Sequence, residues 1–267
     1  MSHFLFVPGG PGFTANEEAR VLGPRLQAVG WSTSFWNDPS RADTAPRPSL
    51  FEEYLASLEA TIRGLGGPHL TVACHSAAVH GVLIAMQRAD VEIGRLVMIA
   101  PSLSQHDAFC RVLTLAASDF DGTRPDQANR IRTLLAGTQV VMDGPMREGL
   151  IIAADDAQLF THYWRDPLAF TAFADAVSRP AGEFRPDTFF AIMDGLAALT
   201  PSYLEPDPRL SVPATIVFGG GDPVIDREMT LASARRIFSH LDDRTFDGAG
   251  HWVHLERPDE FLKIVCS

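Results

Sequence analysis

Short apolar runs alternate with amphipathic stretches along most of this chain, and several of the runs stop at a proline or glycine. Such runs occur at His3–Val7, Leu70–Cys74 and Arg95–Ala100. Strands separated by helix-length segments are typical of a parallel sheet with helices packed on its faces. The pattern therefore predicts an α/β fold with a mostly parallel sheet. Further strands are predicted at Ser32–Trp36, Ala214–Phe218 and Arg244–Phe246.

Helices are predicted wherever apolar residues recur at helical spacing between these strands. The predicted helices of the alternating part are Glu17–Val29, Leu50–Leu65, Ala78–Gln87, Arg227–Ser239 and Pro258–Val265. The strand signal fades between the fourth and fifth predicted strands, where helices are predicted at Asp107–Ser118, Gln127–Leu135, Gln158–Arg165 and Pro186–Leu199. Breaks between these helices are predicted at Asp121-Gly122, Gly144-Pro145 and Arg179-Pro180. We therefore expect a core formed by residues 1–101 and 208–267, interrupted by a helical, aromatic-rich insertion at 102–207.

Composition and charge exclude several classes of function. Apolar residues make up 46% of the 267 residues, and charged residues make up 21%, which is ordinary globular usage. A net charge of −11 disfavours binding to nucleic acid or to anionic lipid. The three cysteines lack metal-ligand spacing, and no apolar run approaches the ~20 residues of a membrane helix. We expect a cytoplasmic monomer or homodimer without metal or cofactor, acting on a small molecule.

The turn after the strand Leu70–Cys74 contains the most informative serine. Ser76 lies between this strand and the predicted helix Ala78–Gln87, within the sequence Cys-His-Ser-Ala-Ala. A serine on a sharp strand-to-helix turn exposes its hydroxyl at the sheet edge, as in the nucleophile pattern G-x-S-x-G. Here Cys74 and Ala78 occupy the two glycine positions. Taken alone, the same serine also fits a helix cap.

Two later loops supply a carboxylate and an imidazole in the order that a catalytic triad needs. Asp222 follows the strand Ala214–Phe218, and His251 lies between glycine-rich sequence and the last helix. Because carboxyl ends of parallel strands meet at one edge, we expect Ser76, Asp222 and His251 to converge as nucleophile, orienting carboxylate and base. Asp226 in the same loop is the alternative carboxylate. Cys74, His80 and His254 are interpreted as structural.

Three segments resemble those of α/β-hydrolase fold proteins, and the resemblance covers almost the whole chain. Residues 8–12, Pro-Gly-Gly-Pro-Gly, are similar to the His-Gly-Gly-Pro-Gly loop of proline iminopeptidase-type members, with Pro8 replacing the histidine. Residues 218–222 are similar to the acid loop, and residues 250–258 resemble the histidine loop. The chain begins directly at a parallel strand, as in the compact methylesterase-like relatives. This resemblance implies an α/β-hydrolase fold in which residues 102–207 form a helical cap.

The resemblance also implies the remaining parts of the site. The backbone N–H groups of Gly10 and Ala77 would form an oxyanion hole. Substrate contacts are expected from Gly9, Phe13, His75 and Trp252. An aminopeptidase-like substrate would in addition need carboxylates to hold its ammonium group, for which the insertion offers Asp155, Asp156, Glu183 and Asp194.

These residues predict a serine hydrolase that cleaves an ester or amide of a small, largely apolar substrate through an acyl-enzyme. Two other classes of function remain open. The same fold hosts lyases, carbon–carbon hydrolases and cofactor-free cyclases in which His251 would act as base, because function resides in the site rather than the fold. A non-catalytic ligand receptor is the third possibility.

Overall fold

The protein is described by a computed structural model of residues 1–38, 50–90, 92–156, 158–177, 186–199, 204–205, 207 and 210–267. The described strands form one parallel sheet of six, in the order β2-β1-β3-β4-β5-β6. The strands are β1 (His3–Val7), β2 (Ser32–Phe35), β3 (Gly67–His75), β4 (Ile93–Ile99), β5 (Ala214–Gly219) and β6 (Leu241–Phe246). All six predicted strands are confirmed. Within the described residues, no helix has the length and apolar character needed to span a bilayer.

Helices connect the strands, and each parallel crossover contains at least one described helix. The helices of the alternating part are α1 (Asn16–Ala28), α2 (Leu50–Leu65), α3 (Ala78–Ala89), α9 (Arg227–Ile237), α10 (Val253–Glu256) and α11 (Pro258–Val265). The segment between β4 and β5 contains α4 (Gln105–Phe120), α5 (Pro125–Gly137), α6 (Gly144–Ala153), a 3-10 helix (Leu159–Tyr163), α7 (Pro167–Val177) and α8 (Pro186–Leu199). The sheet with its flanking helices confirms the α/β-hydrolase architecture.

Apolar side chains cover both faces of the sheet. On one face, Leu5, Val72 and Met98 are fully buried against α2, α3 and the helices between β4 and β5. On the other face, Phe4 and Val97 pack against α1 and α11. Burial on both faces explains why the central strands are nearly continuous apolar runs rather than alternating ones.

The segment between β4 and β5 differs in detail from the prediction. Residues 159–163 form a 3-10 helix where an α-helix was predicted at Gln158–Arg165, and α6 and α7 were not predicted. Gly144-Pro145 was interpreted as a break, yet Asp143 caps α6 by accepting a hydrogen bond from the Met146 N–H, and proline lies in its first turn. Proline fits that position because its missing N–H has no partner to lose there.

Strand order brings the predicted site loops to one edge of the sheet. β3, β4 and β5 are neighbours, and β5 pairs with β6 up to Gly219 opposite Phe246. Because the sheet is parallel, the turns that follow β3, β5 and β6 all leave it at the same carboxyl edge. The division at residues 102 and 207 into core and cap stays a prediction. Glu183, and the predicted break at residues 179–180, lie outside the described residues.

Candidate active site

Ser76 lies on a strained turn between β3 and α3. Its φ is +51°, a left-handed conformation that costs a non-glycine residue about 1–2 kcal/mol. Hydrogen bonds fix this turn to the neighbouring strand: the Ser76 N–H donates to the Ile99 carbonyl at 2.9 Å, and the Ser76 carbonyl accepts from the Ser102 N–H at 3.3 Å. Ser76 is partly exposed. The local geometry is the sharp strand-to-helix turn that the nucleophile pattern predicts.

Cys74 and Ala78, which replace the two glycines of the pattern, are buried on either side of the turn. Burial raises the pKa of the Cys74 thiol, so this group stays protonated and unreactive at neutral pH. Both residues therefore pack the strand against the helix, as the sequence predicted for Cys74.

Asp222 and His251 form a buried carboxylate–imidazole pair. Nδ1 of His251 lies 2.8 Å from Oδ2 of Asp222, and each side chain is 3% exposed. The other oxygen, Oδ1, accepts hydrogen bonds from the N–H groups of Val224 at 2.8 Å and Ile225 at 3.3 Å. The carboxylate is thus held at both oxygens. With the proton on Nδ1, the neutral imidazole has an acceptor at Nε2.

Asp226, the alternative carboxylate, makes different contacts. It caps α9 by accepting a hydrogen bond from the Met229 N–H at 2.9 Å. It also accepts one from the Arg111 guanidinium at 2.7 Å. The contacts of Asp226 are those of a helix cap and an ion pair, whereas the His251 imidazole contacts Asp222.

His75 connects the serine turn to the histidine loop. Its Nε2 donates to the main-chain oxygen of His251 at 3.1 Å, and the two rings lie 4.7 Å apart between centroids. Burial lowers the pKa of His75 well below its ordinary value, so its ring is neutral. Within the described residues, no hydrogen bond joins the Ser76 hydroxyl to the His251 imidazole. The structure thus brings the two loops together, and the catalytic contact itself stays a prediction.

The predicted oxyanion donors have free N–H groups. In the part of the chain that is described, no acceptor takes a hydrogen bond from the N–H of Gly10 or Ala77. Gly10 has a φ of +71°, which favours glycine at this position. Gly9 beside it packs directly on the His75 ring. The glycine-rich loop therefore lies next to the serine turn, although convergence of the two N–H groups on one oxygen stays a prediction.

A cluster of aromatic side chains packs around Trp252 of the histidine loop. The Phe13 ring meets Trp252 edge-on at 6.4 Å and Phe160 at 6.3 Å. Trp252 stacks on Trp164 with ring planes 5° apart and centroids 5.1 Å apart. Phe160 is 38% exposed, whereas Trp252 is 4% exposed and His75 is fully buried. Phe160 was not among the predicted site residues, and its only signal in the sequence was its place among the aromatic residues of the insertion.

The end of the 3-10 helix and the residues just after it are hydrogen-bonded to the loops of Asp222 and His251. The Tyr163 carbonyl accepts a hydrogen bond from the His251 N–H at 2.6 Å. The Arg165 guanidinium donates to the Gly221 carbonyl at 2.6 Å, next to Asp222. Neither residue has a role predicted from the sequence, because contacts to main-chain atoms leave no pattern in side-chain types.

The carboxylates considered for an ammonium group are in varied surroundings. Asp155 is exposed, and Asp194 pairs with Arg147. Burial raises the pKa of Asp156, and the neighbouring Asp119 carboxyl raises it further. His162 contacts the same Asp119 at 2.6 Å. No contact described here joins these three carboxylates to Ser76 or His251.

Comparisons with known proteins place this geometry in a family. Solved structures with the same fold include a proline iminopeptidase-related protein from Thermus thermophilus (TM-score 0.70, 16% identity, 99% of this chain and 87% of that one). They also include an esterase from Exiguobacterium antarcticum (TM-score 0.61, 13% identity, 100% of this chain and 91% of that one). A third is the 2-hydroxy-6-oxo-6-phenylhexa-2,4-dienoate hydrolase of a Rhodococcus species (TM-score 0.58, 15% identity, 99% of this chain and 89% of that one).

These identities establish the shared fold and no particular substrate. None of the curated proteins matches the sequence. The model of the alpha/beta hydrolase family matches residues 4–264. The chain therefore belongs to the alpha/beta hydrolase family.

Proposed function

We propose that the protein is a serine hydrolase that cleaves an ester or amide bond through an acyl-enzyme. The observation that carries this proposal is the strained conformation of Ser76 at the β3–α3 turn. Natural proteins keep a non-glycine residue in the left-handed region chiefly where the surroundings impose it, and such residues cluster at active sites. The buried Asp222–His251 pair, formed between the two loops that follow β5 and β6, supports the same function.

The proposed reaction has two halves. His251 Nε2 takes the Ser76 hydroxyl proton while Oγ attacks the substrate carbonyl carbon, and the carbonyl oxygen becomes an oxyanion. The N–H groups of Gly10 and Ala77 donate to that oxyanion; each such donor is worth about 3–4 kcal/mol in comparable sites. His251 then returns the proton to the leaving alkoxide or amine. In the second half, His251 takes a proton from water while the water oxygen attacks the acyl carbon. The proton then passes to Ser76 Oγ as it leaves, and the acid is released.

Asp222 has an orienting role in this scheme. Its carboxylate accepts a hydrogen bond from the Nδ1–H of His251, which keeps the proton of the neutral ring on Nδ1, leaves Nε2 unprotonated and stabilises the imidazolium that forms during each half. The two N–H groups donating to Oδ1 prevent the carboxylate from rotating away.

The aromatic side chains favour a small apolar substrate. Phe13, which directly follows the glycine-rich loop, contacts Phe160 of the 3-10 helix. Apolar and aromatic walls with few polar groups are common in small-molecule sites. We therefore propose a substrate with an alkyl or aryl acyl group.

A fluorophosphonate probe tests the proposal directly. The wild-type protein should be labelled, and Ser76→Ala should not. Ser118→Ala is a matched control, because it removes an exposed hydroxyl whose hydrogen bond among the described residues is to the Thr114 carbonyl of its own helix. Circular dichroism should show all three proteins folded. Folded wild-type protein that resists labelling would contradict the proposal.

Heavy-oxygen water separates hydrolysis from the other reactions of the fold. A hydrolase transfers one oxygen atom of water to the released acid. Consumption of an ester or amide without that incorporation would instead indicate transfer to another acceptor or elimination.

A further inference from the structure

Glu256 is a buried carboxylate that the proposed reaction does not use. It ends α10, five residues after His251, and is 5% exposed. Its Oε1 accepts a hydrogen bond from the Gly250 N–H at 2.9 Å. Its Oε2 accepts from the N–H groups of Arg165 and Asp166, both at 3.1 Å. One carboxylate thus binds three main-chain groups from two distant parts of the chain.

Burying this carboxylate is unfavourable unless hydrogen bonds compensate for lost water. Burial raises the pKa of Glu256, and the three N–H groups oppose that rise. Within the described residues, every hydrogen bond to its carboxylate comes from main-chain N–H groups. A side chain in such surroundings contributes mainly by fixing the segments that donate to it.

The segments it fixes are those that hold the catalytic pair. Gly250 directly precedes His251. Arg165 lies two residues after Tyr163, and the Tyr163 carbonyl accepts a hydrogen bond from the His251 N–H. The fit is tight, since a β-carbon on Gly250 would lie 2.2 Å from the Tyr163 oxygen. The Arg165 guanidinium extends the same connection to Gly221, beside Asp222.

We propose that Glu256 is a positioning residue for His251: its carboxylate ties the loop before His251 to residues 165–166 and so fixes the imidazole against Asp222. This inference rests on the proposed function for its kinetic consequences. Its structural consequence, the geometry of the Asp222–His251 contact, can be measured whether or not a substrate is turned over.

Glu256→Gln tests the role with minimal change of shape. An amide has one accepting oxygen, and two N–H donors compete for it on the Oε2 side. The amide oxygen should therefore stay with Arg165 and Asp166, and the NH₂ group should face the Gly250 N–H, where donor meets donor. Glu256→Gln should therefore lose the hydrogen bond to the Gly250 N–H in the histidine loop and keep those to residues 165–166.

Asp143→Asn is the matched control. Asp143 also accepts main-chain hydrogen bonds, from Gln139, Val140 and Met146, but in the turn before α6. Both substitutions exchange a carboxylate for an amide at a cluster of N–H donors. A general loss of stability would affect both variants, whereas a change in His251 geometry should appear only in Glu256→Gln.

Hydrolysis of p-nitrophenyl butyrate gives the kinetic result. We expect Glu256→Gln to lower kcat by about 10- to 100-fold, with KM within about twofold of wild type, because a displacement near 1 Å has effects of this size on the reaction but not on binding. Asp143→Asn should leave both constants within about twofold. Equal kcat in Glu256→Gln and wild type would overturn the proposal.

Proton NMR gives a result that does not depend on activity. The hydrogen between His251 Nδ1 and Asp222 Oδ2 should resonate far downfield, and Asp222→Asn should remove the signal. Glu256→Gln should shift or broaden it, and Asp143→Asn should not. An unchanged signal in Glu256→Gln refutes the positioning role, whereas absent fluorophosphonate labelling with a shifted signal refutes only the proposed function.

Hydrogen exchange in the unaltered protein covers the case in which Glu256→Gln fails to fold. The Gly250 amide should exchange far more slowly than that of Gly248 in the same loop, whose N–H has no described acceptor. Gly250, Arg165 and Asp166 should exchange at similar rates, since one side chain holds all three. Exchange of Gly250 as fast as Gly248 would overturn the proposal.

Discussion

Gly9 lies against the His75 imidazole so closely that a β-carbon on the glycine would be 2.1 Å from Nδ1. His75 is fully buried, and its Nε2 is bonded to the His251 carbonyl. The ring therefore has little room to move. The glycine-rich loop, the serine turn and the histidine loop meet at this one side chain.

Gly9→Ala should consequently destabilise the protein and disturb the site. Overpacking of this kind costs about 1–3 kcal/mol in the free energy of unfolding, which urea denaturation can measure. Fluorophosphonate labelling of Ser76 should also slow. Gly64→Ala is the control: it lies in α2 with no atom within 4 Å of an added β-carbon, and the helix should gain up to about 1 kcal/mol. Equal stability of the two variants would contradict the described packing.

The strain at Ser76 predicts a difference between two inactive variants. Ser76→Ala and Ser76→Gly both lack the hydroxyl, but only alanine keeps a β-carbon at a φ of +51°. We expect Ser76→Gly to be more stable than Ser76→Ala by about 1 kcal/mol, since glycine adopts the left-handed region without steric cost. Thermal or urea unfolding measures this difference. A more stable alanine variant would mean that the turn is not strained.

The sheet was predictable because each buried strand is a short apolar run with clear ends. The helices α2, α8 and α11 have the bounds that helical periodicity predicts. The helix α6 was missed because Gly144-Pro145 was interpreted as a break, and α7 was not predicted either. At α7, Asp166 accepts hydrogen bonds from the Leu168 and Ala169 N–H groups, so Pro167 starts a helix there.

The choice between neighbouring carboxylates could not be settled from sequence. Asp222 and Asp226 are four residues apart in one loop, and either could be assigned to His251 by spacing alone. The difference depends on Arg111, which is 115 residues from Asp226 and neutralises it. Glu256 was likewise visible in the histidine loop, but its donors at Arg165 and Asp166 are about 90 residues away. Such contacts require coordinates.

Asparagine substitutions at these two carboxylates form a matched pair. Asp222→Asn should lower kcat for p-nitrophenyl butyrate by about 10³- to 10⁴-fold, because an amide at this position favours the wrong imidazole tautomer. Asp226→Asn should keep kcat within about twofold, since asparagine caps helices about as well as aspartate. A large loss in Asp226→Asn with normal activity in Asp222→Asn would reverse the two assignments.

His80 makes folding stability depend on pH. It lies on α3 one turn after Ser76, with Nε2 donating to the Ser102 carbonyl at 2.8 Å. Burial lowers the pKa of His80 to about 4, whereas an unfolded histidine has a pKa of about 6.5. The unfolded state therefore binds the proton first as pH falls. The stability contributed by His80 is complete above about pH 6.5 and is lost progressively down to about pH 4.

Urea unfolding at pH 7.5 and pH 5.0 measures this effect. His80 alone should reduce the free energy of unfolding by about 2 kcal/mol between these pH values, and buried His75 and His254, whose pKa values are also lowered, should add to the loss. His80→Gln should be less stable at pH 7.5 but lose about 2 kcal/mol less on acidification. His69→Gln changes an exposed imidazole and should keep the wild-type pH dependence. If His80→Gln and wild type lost the same free energy of unfolding on acidification, the His80 imidazole would have to be hydrated in the folded protein. That would contradict its burial beneath the turn that contains Ser76.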